Sequence, residues 1–97
     1  MSYTITLQDA PTELPERARM DAESRFRRTL ERALGGPEAV TETYRAWQQA
    51  EEASDAEMRQ EDIMLAKKWI TAAMRARNEG FRELGECEAY FEVRLER

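Results

Sequence analysis

Histidine is absent from this chain. That removes the commonest general base, the usual member of a nucleophilic triad and the commonest metal ligand. Cysteine occurs once, as Cys87, so no intrachain disulfide can form and a structural zinc site within one chain is excluded. A lone thiol fits a reducing compartment. No apolar run approaches the ~18 residues that a membrane-spanning helix needs. The opening Met-Ser-Tyr-Thr-Ile-Thr-Leu has neither a basic start nor a long apolar stretch. The expectation is therefore no signal peptide, no membrane and a cytoplasmic location. P-loop, GxGxxG and EF-hand patterns are all missing, and no cofactor is expected.

What remains is a chain of 97 residues, read as one domain over 1–97. Hydrophobic residues make up 41%, enough to fold, and 36% are charged, so nearly every position outside the core is solvated. Basic residues are arginine except for Lys67 and Lys68, a bias matching a GC-rich bacterial genome. The net charge of −5 disfavours nonspecific attraction to nucleic acid or anionic membrane.

Ser2 to Gln8 alternates, with Tyr3, Ile5 and Leu7 on one face, and reads as a half-buried strand. Pro11 ends it. A first helix starts at Pro15 and carries Ala18, Ala22, Phe26, Leu30, Ala33 and Leu34 on one stripe. Gly35-Gly36 stops it, and Pro37 opens a second helix with the stripe Val40, Thr43, Tyr44, Trp47 and Ala50. A capping box at Ser54–Glu57 marks a break and restart. The third helix is predicted over Asp55 to about Asn78, with Gly80 as the residue that closes it and Phe81 as its apolar follower.

That helix is apolar over a wide arc. One line is Met58, Leu65, Trp69, Ala72 and Ala76, and a second is Ile63, Ala66, Ile70, Ala73 and Met74. A helix lying on one surface needs one stripe. Two imply a central helix or a contact with another chain. About 24 residues at 1.5 Å each give roughly 36 Å, against a radius of gyration of about 12–13 Å for a compact chain of this size. An elongated monomer or a dimer follows. Ile63, Trp69, Ile70 and Met74 are the candidate dimer face. Trp47 and Trp69 also lie on apolar stripes, where a core role is the plainer reading.

Glu86 to Glu96 alternates without a fault, placing Cys87, Ala89, Phe91, Val93 and Leu95 inward. The expected fold class is α+β, with N- and C-terminal strands pairing in a small sheet packed against three helices (β-α-α-α-β). The open edges of such a sheet invite a partner. Strand direction stays open. Three reversing helices give parallel strands, unless the Phe81 to Gly85 connection turns the chain again.

Candidate chemistry is thin. Glu57, Glu61 and Asp62 share a helix start, where a solvated, dipole-stabilised turn is the plainer reading and a divalent-cation or acid–base site the alternative. Cys87 on an inward face behaves as a small hydrophobe. The first helix holds Arg17, Arg19, Arg25, Arg27, Arg28 and Arg32, and residues 16–34 carry a net charge of about +2. Asp21–Arg25, Glu23–Arg27 and Arg27–Glu31 are spaced to neutralise one another. Outward on the last strand, Glu86, Glu88, Glu92 and Glu96 flank Tyr90, a set suited to binding a basic partner or to preventing aggregation of the edge. The leading expectation is a small acidic non-enzymatic protein-interaction module, homodimeric, with an unidentified protein partner. The alternatives are an acidic inhibitor or nucleic-acid mimic, and an accessory nucleic-acid binder acting through the first helix.

Overall fold

A computed structural model describes residues 2–52, 59–85 and 87–96. The chain runs β1 (Ser2–Gln8), α1 (Glu16–Leu34), α2 (Pro37–Glu52), α3 (Gln60–Phe81) and β2 (Tyr90–Glu96). The β-α-α-α-β order and the pairing of the terminal strands are as the sequence predicts. The two strands are antiparallel, with Ser2 opposite Glu96 and Gln8 opposite Tyr90. Strict reversal at every helix would make them parallel, so one connection carries the chain onward. After α3 the chain turns twice, with the Arg82 N–H on the Glu79 carbonyl and the Leu84 N–H on that of Phe81.

β1 forms as its alternation dictates. Tyr3, Ile5 and Leu7 are buried, and the strand stops where Asp9 adopts φ 57° ahead of Pro11. β2 is shorter than the eleven-residue alternation suggests. A ladder extends only as far as its partner does, and β1 ends opposite Tyr90. Cys87 therefore lies before the strand and is half-buried, while Ala89 is buried.

α1 ends at Gly35, whose φ of 102° suits a residue without Cβ. Its N–H and that of Gly36 both donate to the Glu31 carbonyl, at 2.8 and 2.9 Å. α3 departs from expectation at both ends. Arg59 is extended (φ −73°, ψ 150°) and the helix begins at Gln60, while the expected start at Asp55 lies outside the described residues. The Ser54–Glu57 box and Met58 lie outside the described residues. The helix then continues through Gly80 to Phe81.

Gly80 is helical because of packing, not turn geometry. A Cβ there would lie 2.5 Å from the Phe91 ring. That ring stacks on Phe26 (centroids 4.5 Å apart) and tilts against Phe81 (4.9 Å). Arg25 of α1 reaches the same point. Its Nε and Nη2 donate to the carbonyls of Glu79 and Gly80, at 3.2 and 3.1 Å. A cation on those carbonyls supplies what the last turn of α3 lacks, since no basic residue stands in it.

The core gathers Tyr3, Ile5, Phe26, Leu30, Val40 and Trp69 around Ala72 and Ala76. The molecule measures 46 × 24 × 24 Å with a radius of gyration of 14.2 Å, so the elongation foreseen from α3 is present. Among the described residues no helix is long and apolar enough to cross a membrane.

The arginine-acid pairs expected along α1 do not form. Glu23 instead accepts the Leu7 N–H (2.8 Å), Arg27 donates to the Tyr3 carbonyl (3.1 Å), and Glu31 accepts the Tyr3 hydroxyl (2.8 Å). The Arg27 guanidinium also lies 4.4 Å over the Tyr3 ring. One face of α1 thus occupies two outward backbone groups of β1, the Leu7 N–H and the Tyr3 carbonyl.

Two outcomes follow. Gly80→Ala removes a helix-weakening glycine worth about 1 kcal/mol, yet forces a methyl into Phe91. Overpacking of this kind costs about 1–3 kcal/mol. Urea unfolding should show net destabilisation; a more stable variant would contradict the packing. Burial, and then Glu31, hold the Tyr3 phenol above its ordinary value. The neutral phenol is bound more firmly in the folded state. Its contribution is complete below about pH 10 and is lost as pH rises beyond it. Tyr3→Phe should shrink the alkaline loss of stability measured by urea unfolding between about pH 8 and pH 11. An unchanged loss would contradict this account.

A candidate interaction face beside the second strand

α2 and α3 bring three aromatic rings together next to β2. Tyr44 stacks on Trp47 (5.7 Å) and meets Trp69 edge-on (4.9 Å, 64°). The Tyr44 hydroxyl donates to the Val93 carbonyl at 3.1 Å. Burial, and then the nearby charge of Glu92, hold this phenol above its ordinary range. The rings line a groove of about 390 Å³ whose other walls include Arg77, Tyr90 and Phe91. Arg77 lies 5.3 Å over the Phe81 ring. Four large apolar side chains on α3 and β2 are open to solvent: Ile70 (46% exposed), Met74 (63%), Tyr90 (49%) and Met64 (54%), the last of which lines a different groove. On α3, Ile70 and Met74 are one turn apart and flank Ala73 of the groove.

The hydrogen-bonding parity of the sheet assigns an open edge to this same side. The Leu7 N–H is committed to Glu23, so Leu7 and Phe91 form a non-hydrogen-bonded pair. Alternation extends this to Ile5–Val93 and Tyr3–Leu95. The N–H and C=O groups of Phe91, Val93 and Leu95 therefore point away from β1. α1 side chains occupy the matching edge of β1, whereas Tyr44 reaches the outer edge of β2 at a single carbonyl.

The residues singled out from sequence are distributed unevenly. Ile70 and Met74 are exposed and Ile63 is half-buried on α3. Trp69, placed with them on the candidate dimer face, is only 5% exposed and belongs to the chain's own core. Its position on the first apolar line, with Ala72 and Ala76, turns it inward. The acidic rail is broken. Glu88 is exposed in a bend before the strand, and Glu86 lies outside the described residues. Glu92 accepts from Gln8 Nε2 (2.8 Å) and pairs with Arg94 (3.5 Å), and Glu96 accepts from Ser2 Oγ (3.3 Å). Arg94 therefore sits between the two acids that the strand does carry.

The arginines of α1 are divided in the same way. Arg25 and Arg27 are tied to the fold, Arg19 pairs with Glu16 (3.6 Å), and Arg17, Arg28 and Arg32 face solvent. A larger groove of about 610 Å³ lies between α1, α2 and α3, where Leu34, Met64 and Ala72 meet Glu42, Lys68 and Arg75. Among the described residues no three His, Cys, Asp or Glu side chains cluster as a metal site.

Sequence reasoning missed the groove itself. Tyr44 and Trp47 are visible as an i,i+3 pair on α2, but nothing in the pattern says they adjoin β2. Comparisons with protein-family models, with curated proteins and with solved structures gave no match, so the reading of this face rests on its own geometry.

Proposed function

We propose that this chain is a small acidic protein-interaction module of bacterial type, non-enzymatic and homodimeric. The observation that carries the reading is the set of unpartnered features on α3 and β2. It combines the outward N–H and C=O groups of β2, the aromatic groove, and the exposed Ile70, Met74 and Tyr90. Main-chain groups at a sheet edge supply affinity, and neighbouring apolar pockets supply selectivity. Exposed tyrosine and clustered apolar side chains are the usual anchors of such contacts. The residue inventory supports the non-enzymatic part, with no histidine and a single cysteine. Capture of a basic partner by an acidic strand has less support, because Arg94 interrupts the acids and Glu92 and Glu96 already have partners. Nucleic-acid contact through α1 is weakened because Arg25 and Arg27 serve the fold.

Light scattering over a concentration series is expected to give twice the chain mass. Ile70→Glu or Met74→Glu should weaken the dimer about ten-fold, a change of ~1.4 kcal/mol, while circular dichroism stays unchanged. A chain that remains monomeric at about millimolar concentration would overturn the proposal.

A further inference from the structure

We infer that the second copy docks strand to strand, β2 against β2 about a two-fold axis at Val93, giving a four-stranded antiparallel sheet. This rests on the interaction reading above and specifies its occupant. Three observations converge on it.

The first is parity. The outward groups of β2 belong to Phe91, Val93 and Leu95. An axis through Val93 sets Val93 opposite Val93 and Phe91 opposite Leu95, all of them residues whose N–H and C=O point outward. Each then meets a complementary group, and Phe91, Val93 and Leu95 stay on the helix-covered side of the joined sheet. A carbonyl oxygen has two lone pairs, so Val93 can keep the Tyr44 hydroxyl while accepting across the axis.

The second is charge. The same register places Glu92 opposite Arg94 of the second copy, twice by symmetry, so the exposed Glu92–Arg94 pair within each chain (3.5 Å) is exchanged for two pairs across the axis. These are non-hydrogen-bonded positions, where facing side chains lie closest. Moving the axis to Glu92 sets Glu92 against itself. Moving it to Arg94 sets Arg94 against itself and Glu92 against Glu96. Like charges directly opposite are destabilising. The Val93 register is also the one that keeps all seven residues of β2 paired. A slip by one residue turns apolar side chains to the solvent face. Each copy carries −5, so association needs this local complementarity against the overall repulsion.

The third is the unequal occupation of the two edges. α1 side chains take the Leu7 N–H and the Tyr3 carbonyl of β1. On β2 the Tyr44 hydroxyl takes the Val93 carbonyl, which keeps a second lone pair, so β2 offers the more open edge for a further strand.

The test uses the full chain. Glu92→Arg and Arg94→Glu should each weaken self-association about ten-fold, read by sedimentation velocity, with circular dichroism unchanged. Mixing the two variants should restore association as heterodimers, because both cross-axis contacts between positions 92 and 94 then join an arginine to a glutamate. In the unaltered protein, the amides of Phe91, Val93 and Leu95 should exchange slowly when concentrated and rapidly when dilute. A dimer whose three amides stay fast, and whose charge variants associate as well as the parent, overturns the β2 geometry and leaves the interaction reading standing. An unaltered chain that is monomeric throughout overturns both.

Discussion

Where Phe91 lies on Gly80, a helix and a strand approach more closely than any Cβ allows. The rest of the molecule is arranged around that approach. Phe26 and Phe81 hold the Phe91 ring from two sides, and Arg25 binds the carbonyls of Glu79 and Gly80. α1, the end of α3 and β2 are thereby fixed at one point. Phe91 in place puts β2 in register with β1, since Leu7 is its partner across the sheet. The inherent weakness of glycine in a helix is accepted where close packing requires it. The cation on the terminal carbonyls offsets part of that weakness by acting on the dipole of α3.

A consequence is that the two edges of the sheet differ. α1 lies along β1 and turns Glu23 and Arg27 onto its outward groups. The spacing of these side chains allows them to pair with each other along the helix; burial of backbone amides and carbonyls makes the edge the better partner. An unpaired buried N–H costs about 1–3 kcal/mol, more than the roughly 0.2–0.5 kcal/mol of an exposed i,i+4 pair. β2 has no helix so placed. Its outward groups meet the Tyr44 hydroxyl at Val93 and otherwise face the aromatic groove and solvent. Exposed Tyr90, Ile70 and Met74 lie on the elements that border this edge.

Local pattern made the elements legible. The alternation of Ser2–Gln8, the Phe26–Leu30 stripe, the Gly35-Gly36 stop and the restart at Pro37 all correspond to short-range rules that packing had no reason to override. Misreadings arose where a distant residue decides. Gly80 reads as a helix terminator because its role depends on Phe91, eleven positions on. The alternation from Glu86 to Glu96 overstates β2 because strand length is set by β1. Trp69 could be assigned to core or to interface until the burial of α3 was known. Strand direction was hidden because element order alone does not fix how far each connection turns. Of the candidate face, Ile70, Met74 and Tyr90 were visible in sequence. The groove and the open edge were not, since both arise from parity and from contacts between α2, α3 and β2.

The central claim is that the outer edge of β2 meets its own copy. Isotope-filtered nuclear Overhauser spectroscopy on a mixture of labelled and unlabelled chains addresses it most directly. In the Val93 register, Glu92 and Arg94 of different copies form a non-hydrogen-bonded pair with Cα atoms about 4.5 Å apart. The account predicts a strong interchain cross-peak between their α-protons. Interchain cross-peaks confined to α3, or none at concentrations where the chain is dimeric, would contradict it.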